Sequence, residues 1–300
     1  MSTTRQAATL FVDCRCFLGE GIVWWGSRRA LLWTDIEASR LWMHDAAGTR
    51  DWKLPSRLGS FAPCTSGALL LALEHGLCRA DFDPSAPEGL RLQHLADVEP
   101  DLPSTRANDG RTDRSGNFVF GTMNQAEGHP PLGSFYQWST QSGLRRLDLP
   151  RVGIANSVCF SPDGGTMYFC DSPRARIMAC RYDADSATVS EVRTFATLGL
   201  AEGQPDGSIV DAEGCLWNAA WGAGVVRRYL PDGTVEREVS VAAKNPTCAV
   251  FGGGELNELY VTTARQDMSP TELERVPDAG SVYRAVIEGV RGLPDSLFAD

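Results

Sequence analysis

Short apolar runs separated by polar turns extend along nearly the whole chain. In each repeated unit, a residue with a side-chain oxygen opens a first run, a turn rich in Gly, Asp or Pro follows, and a second run comes next. Short runs of β-branched and aromatic residues between such turns are typical of β-strands joined by hairpins. No stretch sustains an apolar period of 3.6 residues, so we predict that helices contribute little.

The unit occurs six times, and the copies follow one another at roughly 40 to 50 residues, the spacing of propeller blades. The clearest copy opens at Asp206, passes the turn 211–214 and enters the run 215–217. Each copy continues into a third run, here 224–227, and the weakest copy opens at Ser60. The pattern predicts an all-β fold: a six-bladed β-propeller of four-stranded sheets around a central channel.

The first strand of every propeller blade lines the channel, so equivalent residues of the copies form a ring. Every residue at the Asp206 position carries oxygen, and the ring consists of Glu20, Ser60, Asn108, Asn156, Asp206 and Thr247. Carboxylate and amide oxygens bind hard cations such as Ca²⁺ and Mg²⁺, and the same ligands accept Mn²⁺ or Zn²⁺. Two carboxylates and an amide leave room for water and substrate, as catalytic metal sites do. The alternative interpretation is that Asn and Asp bind turn amides at strand edges.

A second polar group, 106–110, lies where the third inner strand begins, on the face where the ring opens. Arg106 and Asn108 offer the hydrogen-bond donors that a polyhydroxylated, partly anionic ligand requires. A salt-bridged surface arginine is the alternative interpretation for Arg106.

The chain has 300 residues, of which 43% are hydrophobic and 22% charged, as in an ordinary globular protein. No linker divides it, so we predict one domain over 1–300, with about 1–12 as an N-terminal extension. The net charge of −10 argues against nucleic acid and anionic membranes as partners. The first residues lack the apolar segment of a secretory signal, and no window reaches membrane-spanning length, so we expect a cytoplasmic location. The sequence leaves the oligomeric state open, a monomer included.

The cysteines and histidines form no recognisable metal motif. The nine cysteines are odd in number and lie mostly in predicted strands, which favours buried free thiols in a reducing compartment. Cys14 and Cys16 have no partner pair elsewhere, so we do not expect a metal site there. His129 lies in the loop 124–133, which we interpret as a solvated loop, with substrate contact as the alternative.

These motifs, taken in order, resemble the regucalcin (senescence marker protein)/gluconolactonase/luciferin-regenerating-enzyme family of six-bladed propellers. The matching segments span nearly the whole chain: 14–16 with 19–20, 106–110 with 121–123, 155–157, 205–207 with 211–217, and 258–262. One difference concerns a substrate contact, because regucalcin-like members carry acidic residues soon after the segment equivalent to 121–123. This chain has Asn124, Gln125, Ala126 and Glu127 there.

The resemblance implies one divalent metal ion (Ca, Zn, Mg or Mn) held by Glu20, Asn156 and Asp206. It also implies that Arg106 and Asn108 contact a sugar lactone, and that Asp206 or a metal-bound water transfers the proton. The hypothesis is a lactonase of carbohydrate metabolism that hydrolyses a five- or six-carbon aldonolactone to the aldonic acid. A non-catalytic calcium-binding regulator and a phosphotriester or aryl-ester hydrolase are the alternatives.

Overall fold

The computed structural model describes residues 3–86, 88–199 and 201–300, and its strands form a six-bladed β-propeller, as the repeat predicts. Two strands precede the first blade, β1 (Thr4–Ala7) and β2 (Thr9–Val12). Blade 1 consists of β3 (Gly19–Trp25), β4 (Ala30–Asp35), β5 (Arg40–Asp45) and β6 (Gly48–Lys53). Blade 2 consists of β7 (Leu58–Pro63), β8 (Leu69–Leu73), β9 (Gly76–Phe82) and β10 (Leu90–Asp97). Blade 3 consists of β11 (Thr105–Thr112), β12 (Phe118–Asn124), β13 (Phe135–Ser139) and β14 (Gly143–Arg146).

The other half of the ring has the same construction. Blade 4 consists of β15 (Ala155–Phe160), β16 (Thr166–Asp171), β17 (Arg176–Asp183) and β18 (Thr188–Thr197). Blade 5 consists of β19 (Gln204–Val210), β20 (Leu216–Trp221), β21 (Val225–Tyr229) and β22 (Val235–Ser240). Blade 6 consists of β23 (Asn245–Gly252), β24 (Glu258–Ala264) and β25 (Val282–Val286), with the short helix α1 (Pro270–Arg275) between β24 and β25. No helix in the described part of the chain is long and apolar enough to cross a membrane.

The two N-terminal strands join the ends of the chain. β2 pairs antiparallel with β25 and completes blade 6 as its fourth strand, while β1 pairs parallel with β22 at the edge of blade 5. The segment that the sequence suggests as an extension, about 1–12, therefore supplies strands to two blades from Thr4 onward. Hydrogen bonds between the first and last parts of the chain hold the ring closed.

Each inner strand carries a β-bulge beside its ring residue. The pairing shifts between Glu20 and Val23 in β3, between Asn156 and Cys159 in β15, and on either side of Asp206 in β19. The inner strands β7, β11 and β23 show the same irregularity. A bulge re-aims a side chain and releases it from the regular alternation of a strand. The bulges therefore turn polar side chains toward the channel at one end of every blade.

The apolar core lies between neighbouring blades, and each blade interface has its own cluster of buried side chains. Between blades 5 and 6, for example, the rings of Trp217 and Phe251 meet edge to face at 5.3 Å. Trp217 donates its indole N–H to Asp211 Oδ2 at 2.9 Å, and Arg228 Nε donates to the same oxygen at 2.8 Å. Because Asp211 also accepts the backbone N–H of Glu213 at 2.9 Å, this carboxylate fixes the β19–β20 turn.

The C-terminal segment 292–300 crosses the end of the channel opposite the ring residues. Asp295 accepts hydrogen bonds from Trp24 N at 2.9 Å and Arg111 Nη1 at 2.7 Å, and Phe298 N donates to Pro63 O at 2.9 Å. The segment thus ties several blades together. The Arg111–Asp295 ion pair is largely buried, with side chains 13% and 15% exposed.

We expect Asp295→Ala to lower the free energy of unfolding by about 3 kcal/mol, because it leaves the Arg111 guanidinium buried without this partner. Urea denaturation followed by tryptophan fluorescence measures the change. Glu255→Ala is the matched control: it breaks an ion pair with Arg291 whose side chains are 67% and 68% exposed. Such a pair contributes under about 1 kcal/mol. Equal effects of the two substitutions would show that the buried pair does not hold the segment in place.

Candidate metal and substrate site

The predicted ring residues all lie on inner strands, at the same end of the channel, and all are buried. Two of them carry hydroxyl groups: the hydroxyl of Thr247 bonds to the backbone of a neighbouring blade, and the hydroxyl of Ser60 has no partner among the described residues. Thr247 Oγ1 donates to Gly19 O at 2.5 Å and so links blade 6 to the strand that carries Glu20. Ser60 Oγ is buried and has no hydrogen-bond partner among the described residues. Glu20, Asn108, Asn156 and Asp206 supply the other polar side chains of the ring.

Two carboxylates face the channel without any basic partner bonded to them. Glu20 Oε2 accepts only the N–H of Gly21, at 3.1 Å, within the described chain. Asp206 Oδ1 is buried and has no hydrogen-bond partner among the described residues. Burial, reinforced by the Asp109 carboxylate, raises the pKa of Glu20 to about 8. Burial also raises the pKa of Asp206 well above its usual range, and the charges of Glu20 and Asp109 add to this.

The two amides of the ring are fixed by a chain of hydrogen bonds. Asn108 Nδ2 donates to Asn156 Oδ1 at 2.8 Å and to Ala155 O at 2.9 Å. Asn156 Nδ2 donates to Ser172 Oγ at 2.9 Å, and that hydroxyl donates to Pro205 O at 2.7 Å. The last bond connects blade 4 to the residue directly before Asp206. The amide oxygen of Asn156 is therefore held on the side of Asn108, with its second lone pair available for a ligand.

Arg106 lies beside these amides and is buried, which argues against the surface alternative. Its Nη1 donates to Asn108 Oδ1 at 2.7 Å and to Ala107 O at 2.9 Å. Burial lowers its pKa to about 10, so the guanidinium remains charged at neutral pH. Among the described residues, Arg106 makes no salt bridge, and its Nε and Nη2 donate to no side chain or carbonyl. These groups can therefore donate to a ligand in the mouth of the channel.

Two further channel residues, Asp109 and Ser157, lie in the segments 106–110 and 155–157 but are not among the predicted site residues. Asp109 is buried, and its Oδ2 accepts the N–H of Val158 at 2.8 Å across the blade boundary. Ser157 has a left-handed backbone (φ 63°), and its hydroxyl donates to Asp206 O at 2.6 Å. Both follow a ring residue directly, so a bulge delivers two consecutive side chains where a regular strand delivers one. In the sequence, the glycine at position 110 is the signal of the bulge in β11, because a Cβ there would lie 2.8 Å from Ser60 Oγ.

The loop 124–133 does not bring Glu127 into the channel. Glu127 is exposed, and Gln125 is half-buried. His129 is also half-buried, and its Nδ1 hydrogen-bonds with Asn124 O at 2.7 Å, which fixes the loop on itself. On the opposite side of the mouth Phe17 is 51% exposed, while the N–H groups of Phe17 and Leu18 donate to the Asp35 carboxylate at 2.9 and 3.1 Å.

The oxygen set fits a hard divalent cation. No three His, Cys, Asp or Glu side chains in residues 3–86, 88–199 and 201–300 form a metal-binding group. The candidate set instead combines the carboxylates of Glu20 and Asp206 with the amide of Asn156. Its fit rests on the buried, unpartnered Oδ1 of Asp206 and on the mutual repulsion of two buried carboxylates, which a cation would offset.

Comparison with known proteins agrees with this architecture. The model of the SMP-30/Gluconolactonase/LRE-like region matches residues 18–265. The chain is 44% identical to an L-arabinolactonase of Azospirillum brasilense over 283 residues, 93% of this chain and 91% of the relative. It is 32% identical to a 6-deoxy-6-sulfogluconolactonase of Pseudomonas putida, with 94% and 95% covered. The solved structure of a calcium-binding protein, regucalcin, from Agrobacterium tumefaciens matches with a TM-score of 0.91 at 31% identity over 100% of both chains. The chain belongs to the SMP-30/gluconolactonase/LRE-like family.

Proposed function

We propose that the protein is a metal-dependent lactonase that hydrolyses a five- or six-carbon sugar lactone to the aldonic acid. The observation that carries this proposal is the buried pair of carboxylates, Glu20 and Asp206, beside the bonded pair Arg106–Asn108 at one mouth of the channel. Hydrolysis of a neutral sugar lactone needs a Lewis acid, a proton acceptor and hydrogen-bond donors for the hydroxyl groups. The carboxylates could hold a cation as the Lewis acid, Asp206 could accept the proton, and Arg106 could donate to the hydroxyls. The relatives named as an arabinolactonase and a sulfogluconolactonase support the same reaction class.

Each site residue has a role that follows from the chemistry of its side chain. Glu20, Asn156 and Asp206 would hold the divalent cation, which supplies Lewis acidity toward the lactone carbonyl and toward water. Asp206 has an oxygen without a protein partner, so it can accept the proton of the attacking water as general base. The free N–H groups of Arg106 would donate to the ring hydroxyls. Asn108 would accept from them through its Oδ1, because both of its N–H groups already bond to Asn156 and Ala155. Because these groups are held by their own hydrogen bonds, they keep their positions before the substrate enters.

Turnover of several lactones, measured before and after metal removal, tests both the metal requirement and the substrate. The protein is stripped with a chelator, and a pH-indicator assay follows acid release from arabinono-, xylono-, galactono- and gluconolactone before and after Ca²⁺, Zn²⁺, Mg²⁺ or Mn²⁺ is restored. We expect activity to vanish on stripping and to return with at least one ion on at least one lactone. Undiminished turnover in the stripped protein contradicts the metal requirement.

A non-catalytic calcium-binding role is the second candidate, and the match to a solved calcium-binding regucalcin favours it. It predicts Ca²⁺ binding without consumption of any lactone at any ion concentration. A phosphotriester or aryl-ester hydrolase would use the same ligands, and paraoxon and phenyl acetate added to the same assay separate it from a lactonase.

Arg106→Met should lower kcat/KM about 10- to 100-fold, mainly through KM, because charge-assisted hydrogen bonds to a substrate contribute roughly 1.5–3 kcal/mol. The affinity for Ca²⁺, measured by calorimetry, should stay within a few-fold of the unsubstituted protein. Arg174→Met is the control, since Arg174 lies at the same end of the propeller but is 64% exposed. An equal loss in both variants, or a loss of Ca²⁺ binding in Arg106→Met, would contradict substrate contact by Arg106.

A further inference from the structure

Two thiols touch each other just before the first blade. Cys16 Sγ lies 3.6 Å from Cys14 Sγ, within hydrogen-bond distance for sulfur. The intervening Arg15 has a left-handed backbone conformation (φ 48°), which brings both thiols to the same side of the chain. Among the described residues, no other two cysteine side chains are hydrogen-bonded to each other.

The pair is held in place by the loop that precedes β25. Cys14 Sγ donates to Gly280 O at 3.4 Å, and the backbone N–H of Cys16 donates to the same oxygen at 2.7 Å. Gly280 itself has a positive φ of 85°, and a Cβ there would lie 2.2 Å from Cys16 O. Only glycine fits at this contact, so the geometry of the two cysteines is supported by a second, distant part of the chain.

Cys14 differs from the other cysteines in its access to solvent. It is half-buried, whereas the remaining eight are buried. The hydrogen bond from the Cys16 thiol lowers the pKa of Cys14, and the same contact raises the pKa of Cys16. In contrast, burial raises the pKa of Cys159 and Cys170 inside the blades. A half-buried cysteine with a lowered pKa, in contact with a second thiol, is the arrangement of oxidation-sensitive cysteines.

We propose that Cys14 and Cys16 form an oxidisable dithiol, in which Cys14 reacts with peroxides and Cys16 closes a disulfide. In the first step the Cys14 thiol loses its proton to solvent, its thiolate attacks one peroxide oxygen, and the O–O bond breaks. A sulfenic acid forms, and the hydroxide that leaves takes up a proton in place of the one released and becomes water. In the second step the Cys16 sulfur attacks Cys14 sulfur, the S–O bond breaks, and a second water leaves. Two thiols and one hydrogen peroxide thus give one disulfide and two waters, with sulfur oxidised and peroxide reduced.

Disulfide closure joins two sulfurs that already lie within hydrogen-bond distance of each other. The sulfurs must approach from 3.6 Å to the bonded distance of about 2.05 Å, and the closed ring involves only the segment 14–16. Disulfides in reducing compartments are typically transient and redox-sensing, so the dithiol is compatible with a protein whose other thiols stay free. The inference is independent of the proposed lactonase activity, because no candidate site residue takes part in the chemistry.

Peptide mapping tests the proposal on the full, unsubstituted chain. The folded protein is treated with hydrogen peroxide, remaining thiols are blocked with N-ethylmaleimide, and the product is digested with trypsin. Trypsin cuts after Arg15, between the two cysteines, so the reduced protein yields the separate peptides 6–15 and 16–28. We expect the oxidised protein to yield these peptides joined by a bond that dithiothreitol cleaves, with a mass two hydrogens below their sum.

Variants identify the order of the steps. In Cys16→Ser, Cys14 should accumulate as a sulfenic acid that dimedone traps, at a rate at least about ten times that of any other thiol. In Cys14→Ser, the buried Cys16 should remain reduced. Failure to detect the joined peptide, or faster oxidation of any other cysteine, would overturn the proposal, and the mapping of the unsubstituted protein decides this even if a variant does not fold.

Discussion

Asp206→Asn should abolish lactone turnover, with a loss of at least about 10³-fold, and should weaken Ca²⁺ binding at least about 100-fold. The substitution keeps the shape of the side chain and removes one negative charge. That charge lies in a buried position beside Glu20 and Asp109, and its Oδ1 has no protein partner. Because the metal-free protein must either bury these like charges or take up protons to neutralise them, the variant should be at least as stable as the unsubstituted protein when no metal is present.

The combination of lost binding and retained stability separates a ligand from a structural residue. Calorimetric titration with Ca²⁺, the pH-indicator assay and thermal unfolding in chelator measure the three effects. Asp211→Asn is the matched control, since Asp211 is a fully buried carboxylate of the same blade that accepts hydrogen bonds from Trp217 and Arg228. It should lower stability and leave the Ca²⁺ affinity of the folded protein nearly unchanged. Tight Ca²⁺ binding by Asp206→Asn would contradict the proposed ligand.

The fold could be predicted because the same physical problem recurs in every blade. In each blade an inner strand begins at the channel, and a turn leads into a second strand that runs back beside it. The residue that opens the inner strand, the Gly–Asp turn and the second apolar run therefore reappear at a regular spacing. Aligning the copies was therefore enough to place residues as distant as Glu20 and Asp206 in one ring. Short, local patterns carried this information, and they depend on few contacts between blades.

The remaining features depend on backbone detail or on distant contacts, which a repeat does not record. Asp109 enters the channel because it lies within the bulge between Ala107 and Gly110, and the alternation of a regular strand would place it on the other face. The C-terminal segment has no counterpart among the copies, so its ion pair between Asp295 and Arg111 could not be read from the pattern. The contact between Cys14 and Cys16 likewise requires the left-handed backbone of Arg15.

The stability of the metal-free protein and its affinity for a cation should depend on pH in opposite directions, because both depend on the protonation of Glu20. The folded protein raises the pKa of Glu20 from an ordinary value of 4.5 to about 8, chiefly by burial. A raised pKa means that the folded metal-free protein binds the proton more tightly than the unfolded chain. This contribution to stability is fully present below about pH 4.5 and is lost as the pH rises through about 8. A cation requires the ionised carboxylate, so its affinity should change in the other direction.

We therefore expect the increase in Tm caused by a fixed excess of Ca²⁺ to be small at pH 5 and to grow steadily up to about pH 8, since each displaced proton changes the affinity up to about tenfold per pH unit. Thermal unfolding in chelator and in Ca²⁺, at each pH, measures both curves. In Glu20→Gln, the Tm measured in chelator should lose the part of its pH dependence that Glu20 causes. The increase in Tm on addition of Ca²⁺ should be small at every pH. A Ca²⁺-induced increase in Tm that is equally large at pH 5 and pH 8 would show that Glu20 does not bind the cation as a carboxylate.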